Sequence, residues 1–183
     1  MENNNPIEPI LQPRPTPPAS SDAPTQPTAR TLDMSIVITR VTEQGGDVIY
    51  TDASGGGIRR TGGSRAWRNQ NPGNIRDSKF ARRMGAIGAA GGFAVFPDAE
   101  TGACAIAALL TGNSYRNLTV ADAVARYAPP HENDTAAYQQ NLARLTGIDI
   151  GIYIRDLTKD QLNAVVSAIR RVEGWTPGRE IAI

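Results

Sequence analysis

Residues 157–175, LTKDQLNAVVSAIRRVEGW, constrain the fold more than any other stretch of this chain. Leu162, Val165, Val166, Ile169 and Val172 recur every three or four positions, which is one face of an α-helix. Thr158 and Gln161 have the spacing of a capping box, and Leu157 can staple onto Leu162. A helix with so continuous an apolar stripe must pack against a core. At 100° per residue, Glu173 falls within about 40° of both Val166 and Ile169. Its carboxyl group therefore prolongs the apolar stripe. Desolvation disfavours a carboxylate, so such a group keeps its proton towards neutral pH and can deliver it to a leaving oxygen, as an acid catalyst of sugar cleavage must. A helix-end glutamate that curls out to water is the competing reading of the same residue.

Three further helices are predicted upstream. Asp98 can cap one over about residues 99–110. Thr119 and Asp122 open a second, which ends at Tyr127 before Pro129-Pro130. Asp134 or Asn133 starts a third, with Tyr138, Leu142 and Leu145 on one face and Gly147 at its close. Before them, SIVITRV and DVIYTD around EQGG read as a β-hairpin, followed by the Gly-rich ASGGGIRRTGGS. That run lacks the Lys-Ser/Thr ending of a phosphate loop and is not read as a nucleotide site. Eight of the 13 prolines fall in the first 30 residues, too little apolar surface to offset ordering entropy. The expected organisation is a disordered Pro-rich arm (residues 1–33), a hairpin with a Gly-rich lead-in (34–66) and a helical domain (67–183). The expected fold class is mainly α, within α+β.

Charge narrows the function classes. Lys and Arg total 19 against 18 Asp and Glu, which does not favour nucleic acid as a partner. No apolar run is long enough to insert in a membrane, and MENNNPIEPI is not a secretory signal. A single Cys104 and a single His131 make neither a disulfide nor a zinc site, so no metal is expected. Cys104, in an Ala-rich run, is expected to be a buried structural thiol.

The stretch WRNQNPGNIR, residues 67–76, is neither periodic helix nor alternating strand. Asn71-Pro72 and Gly73-Asn74 suit tight turns, and amides can also bind sugar hydroxyls without adding charge. Here a resemblance enters. AIRRVEGW resembles the "EG" helix end of phage lysozymes and related lysozyme-like enzymes, in which that glutamate is the general acid. NPGNIR followed by GGFAVFPDAETGACAIAALL is similar to a lysozyme-like module of phage virion proteins and secreted bacterial effectors. RYAPPHENDTAAYQQNLARLTG is similar to the closing helix region of goose-type lysozymes and lytic transglycosylases. Together these cover about residues 67–178. The "EG" helix follows the other motifs here instead of preceding them, so the resemblance implies a circular permutation.

That resemblance implies a lysozyme-like domain cleaving the glycan strands of peptidoglycan, as a muramidase or a lytic transglycosylase. Glu173 is then the catalytic acid, with Glu132 of HENDT as runner-up or second carboxylate, although a charge at a helix start also explains Glu132. Asn71, Asn74, Trp67 and Tyr138 are the candidate substrate ligands: Trp67 to stack on a sugar, Asn74 closer to ligand than Asn71, and Tyr138 to bond substrate or Glu173. No cofactor is implied. The implied partners are peptidoglycan and, through the arm, a docking partner or an immunity protein. The implied place of action is the periplasm or cell wall, after delivery by a phage particle or type VI secretion. The alternative is a non-catalytic virion or wall-binding module with a degenerate cleft.

Overall fold

The structure, a computed structural model, describes residues 37–131 and 133–183. The arm of residues 1–33 and Glu132 lie outside the described residues. Strands β1 (Ile38–Gln44) and β2 (Asp47–Asp52) form the hairpin, turned by Gly45 and Gly46 with φ of 59° and 83°. Two consecutive positive φ values match the right-handed twist of the strands they join, and glycine adopts them without strain. Asp52 then folds the chain back, its Oδ1 accepting from Ser54 N at 2.8 Å and Gly56 N at 3.1 Å. This turn delivers a third strand, β3 (Gly57–Thr61).

Next come two short helices, α1 (Arg65–Arg68) and α2 (Lys79–Arg83). A second hairpin, β4 (Gly88–Ala90) with β5 (Phe93–Val95), follows them. The remaining helices are α3 (Ala99–Thr111), α4 (Val120–Tyr127), α5 (Thr135–Thr146) and α6 (Lys159–Val172). The last strand, β6 (Arg179–Ala182), returns to pair antiparallel with β3, giving a sheet of order β1-β2-β3-β6. Each long helix starts at a side chain that accepts from an otherwise orphaned N–H: Asp98, Thr119, Asp134 and Thr158. At Thr158 both halves of the capping box are made.

The fold is therefore α+β and not mainly α. Among the described residues six α-helices stand beside a four-stranded antiparallel sheet and a two-stranded one, with about 40% of those residues in helix and 21% in strand. The expected hairpin is only half of the larger sheet. β3 lies inside the Gly-rich lead-in, and β6 is four residues whose partner stands far away in sequence. Cys104 corrects a second expectation: it is exposed on α3, whose buried positions are Gly102, Ala105, Ile106 and Leu110.

Two cores result. The larger joins α3, α4, α5 and α6 through Ile106, Leu110, Val120, Leu142, Val165 and Ile169. The smaller, Val48, Tyr50, Ala90 and Val95, lies between the sheet and the β4–β5 hairpin. What matters for the site is how the end of α6 is fixed. Ser64 N donates to Thr176 O at 2.9 Å and Thr176 N donates back to Ser64 Oγ at 3.0 Å. Buried Arg60 pairs with Glu180 of β6 and donates to Trp67 O at 3.0 Å. The segment leaving α6 is thereby held to the start of α1. No helix among the described residues is long and apolar enough to cross a membrane.

Candidate active site

Glu173 is the C-terminal cap of α6, its N–H donating to Ile169 O at 2.8 Å. Gly174 follows with φ of 72°, a left-handed turn that ends the helix and keeps the Glu173 side chain on the α6 core face. Asn74 Nδ2 donates to Glu173 Oε2 at 2.9 Å, and Tyr138 Oη donates to Oε1 at 3.1 Å. The carboxyl group is thus gripped from the Asn-rich turn on one side and from α5 on the other. Burial pushes its pKa above the ordinary glutamate range, against the pull of the Asn74 and Tyr138 bonds and of the Arg65 charge. Position at the negative end of the helix dipole acts in the same direction as burial.

The turn is built to present Asn74. Asn71 is fully buried: Oδ1 accepts from Ile75 N at 2.9 Å, while Nδ2 donates to Ile75 O at 2.8 Å and Ala94 O at 2.9 Å. Asn69, also buried, donates to Ala90 O at 3.2 Å. These amides satisfy loop backbone that neither a helix nor a sheet serves, and leaving it unpaired is costly. Asn74 itself sits at φ of 45°, a left-handed conformation that asparagine tolerates better than most residues. Gly73 makes room beneath it. A Cβ there would lie 2.7 Å from Ile106 Cγ1 and would also meet the hydroxyl of Tyr127, which donates to Gly73 O.

Two candidate ligands are corrected. Asn71 has no free amide and no exposure, so it holds the loop and does not reach a saccharide. Trp67 is 8% exposed, its ring 4.9 Å from the Arg60 guanidinium, and it packs under the sheet instead of offering a face to a sugar. The stacking reading fails because Arg60, inside the Gly-rich run, is a buried cation that takes up the ring. Glu132 is outside the described residues.

Beside Glu173 opens a groove of about 220 Å³ lined by Asn133, Asp134, Ala137, Tyr138, Asn141, Val172 and Glu173. Asn141 is a lining residue that sequence reasoning missed. The signal was there: Asp134, Tyr138 and Asn141 follow the i, i+4, i+7 spacing of one helix face. Arg65 was also missed. Its Nε donates to Asn74 Oδ1 at 3.3 Å, orienting the amide so that its NH₂ group faces Glu173. Among the described residues no three His, Cys, Asp or Glu side chains are grouped to hold a metal ion. No protein-family model matches the chain, and neither does any curated protein.

Proposed function

We propose that this domain cleaves the glycan strands of peptidoglycan, with Glu173 as the general acid. The observation that carries the reading is the environment of that one carboxyl group: burial raises its pKa, and two neutral donors fix both oxygens at the edge of a polar groove. Such a group can protonate the glycosidic oxygen as the C1–O bond breaks, and the ion it leaves is stabilised by the same two donors. The non-catalytic alternative asks for a Glu173 turned to solvent or spent in a salt bridge, and its hydrogen bonds to Asn74 and Tyr138 do not match that. The resemblance of the NPGNIR and VEGW motifs to those of lysozyme-like enzymes supports the choice of substrate, and the pairing of β3 with β6 returns the segment after α6 to the strand that precedes α1.

The chemistry favours a single-acid scheme. Asp134, the other carboxylate of the groove among the described residues, accepts from Ala137 N at 2.9 Å as the cap of α5. After donating its proton, Glu173 takes one back from the substrate's own C6 hydroxyl as O6 attacks C1, closing a 1,6-anhydro ring. The test is digestion of purified peptidoglycan with mass analysis of the soluble products. Anhydro ends mark the transglycosylase; reducing ends, 18 Da heavier by one added water, mark a hydrolase. A protein that binds the wall and releases no fragment overturns the enzymatic reading.

A further inference from the structure

Phe93 opens β5, half-buried, and packs into neither of the two cores. Its ring serves a cation. Arg65, the first residue of α1, holds its guanidinium over that ring at 3.6 Å from the centroid, and its Nε donates to Asn74 Oδ1 at 3.3 Å. Asn74 in turn donates to Glu173 Oε2 at 2.9 Å. Phe93, Arg65, Asn74 and Glu173 thus form one line of contacts, in which a neutral amide separates the cation from the acid. Among the ion pairs between described residues Arg65 has none, although Arg65 and Glu173 each feel the other's charge.

That separation matters to an acid catalyst. A cation bonded directly to a carboxyl group lowers its pKa by about one to three pH units, which works against delivery of a proton. Arg65 is one amide away, and its long side chain has the rotational freedom to close the gap. An aromatic face gives the guanidinium a second place to bind, away from the acid. The other groups around Glu173 put no cation in its path. Tyr138 of α5 and Tyr127 of α4 are phenols raised above their ordinary range, by burial first, and Asp134 lines the groove. Arg170 and Arg171 are exposed on α6, with Arg170 against Trp175 at 4.1 Å. Around Arg65, Glu43 of β1 accepts from Gly91 N at 2.7 Å, the charges of Arg68 and Arg76 act on the guanidinium, and Arg76 lies 5.5 Å from the same ring centroid.

We infer that Phe93 is a positioning residue for the acid: its ring holds the Arg65 guanidinium one amide short of Glu173, so that the carboxyl group meets Asn74 instead of a cation. This rests on the reading of Glu173 as the general acid. Acting through the amide, Arg65 helps to stabilise the carboxylate left after proton transfer. Direct pairing would stabilise that ion beforehand and disfavour the transfer.

The experiment reads Glu173 itself, apart from turnover. The carboxyl carbon is titrated by NMR in the full chain, its signal assigned by loss in Glu173→Gln. The proteins compared are the parent, Phe93→Leu, Phe93→Tyr, Arg65→Met and the double variant Phe93→Leu/Arg65→Met. Phe93→Leu keeps an apolar side chain without the ring face, so the released guanidinium should pair with Glu173 and lower its titration by at least about one pH unit. Arg65→Met removes the cation and should raise it by about half a pH unit. Phe93→Tyr keeps the ring and should keep the parent's curve. The double variant should titrate like Arg65→Met alone, because the ring then has no Arg65 to hold back. Opposite shifts that collapse on combination are not a pattern that misfolding produces. A Phe93→Leu curve that stays put or moves up overturns the inference. So does a double variant that titrates below the parent, which would make Arg68 or Arg76 the released cation. The expected shifts in a protein that releases no glycan count against the cleavage proposal alone, and an unmoved Phe93→Leu curve in a protein that cleaves counts against this inference alone.

Discussion

Tyr138→Phe removes one oxygen from the site and leaves the rest of a buried side chain, 7% exposed, in place. The lost group is the hydroxyl that donates to Glu173 Oε1 at 3.1 Å. It stabilises the carboxylate more than the acid, so its removal should make Glu173 hold its proton more firmly. A hydrogen bond to a charged group contributes about 1.5–3 kcal/mol, and water reaching the partly exposed carboxylate reduces that to about 1.4 kcal/mol. This is a tenfold change in proton dissociation, or about one pH unit. Because the general acid must be protonated, the alkaline fall in glycan cleavage should move up by about that much, with the rate on the acid side of the fall little changed. The assay is the pH–rate profile of wall-suspension clearing for both proteins, with the Glu173 carboxyl carbon titrated by NMR as a check independent of turnover. An alkaline limb that stays put or moves down would refute the argument, since Tyr138 would then be core filler with no grip on the acid.

Other outcomes follow from the same geometry. Thr158→Ala removes the acceptor for Gln161 N and should lower stability by about 1 kcal/mol, read as a drop in the thermal midpoint; no drop would mean that the cap contributes nothing. Gly73→Ala drives a methyl group into Ile106 and the Tyr127 hydroxyl and should cost about 1–3 kcal/mol by denaturant titration, with cleavage falling further because Asn74 is displaced. Glu173→Gln should stabilise the fold at neutral and alkaline pH. The sign comes from a native pKa raised above the unfolded one: the native state binds more proton, so stability falls as pH rises between the two values and the deficit is complete above the native one. Below the unfolded pKa the variant and the parent should melt together, and a variant less stable at pH 8 than its parent would contradict the assigned burial.

The parts of the fold that sequence made legible are those set by neighbours in the chain. Asp98, Thr119, Asp134 and Thr158 announce four helices because a cap is a contact three residues long. The phase of α6 pointed Glu173 inward for the same reason. The sheet was half hidden because β3 offers one aliphatic residue, Ile58, among glycines and arginines, and its pairing of Ile58 with Ala182 is a tertiary choice. Trp67 misled because ring stacking on a sugar and ring stacking under Arg60 ask for the same residue. Cys104 misled because in AETGACAIAALLT nearly every position is small or apolar, so composition does not give the phase of the helix.

The most direct test of the central claim is the release of soluble glycan from purified peptidoglycan by the parent protein, Glu173→Gln and Glu132→Gln, measured with co-sedimentation of each. A general acid contributes about 10²–10⁴ in rate, so Glu173→Gln should lose at least about a hundredfold while still binding the wall, and Glu132→Gln should lose much less. Fragment release by Glu173→Gln within a few-fold of the parent, above all with Glu132→Gln inert, would place the acid elsewhere and contradict the account.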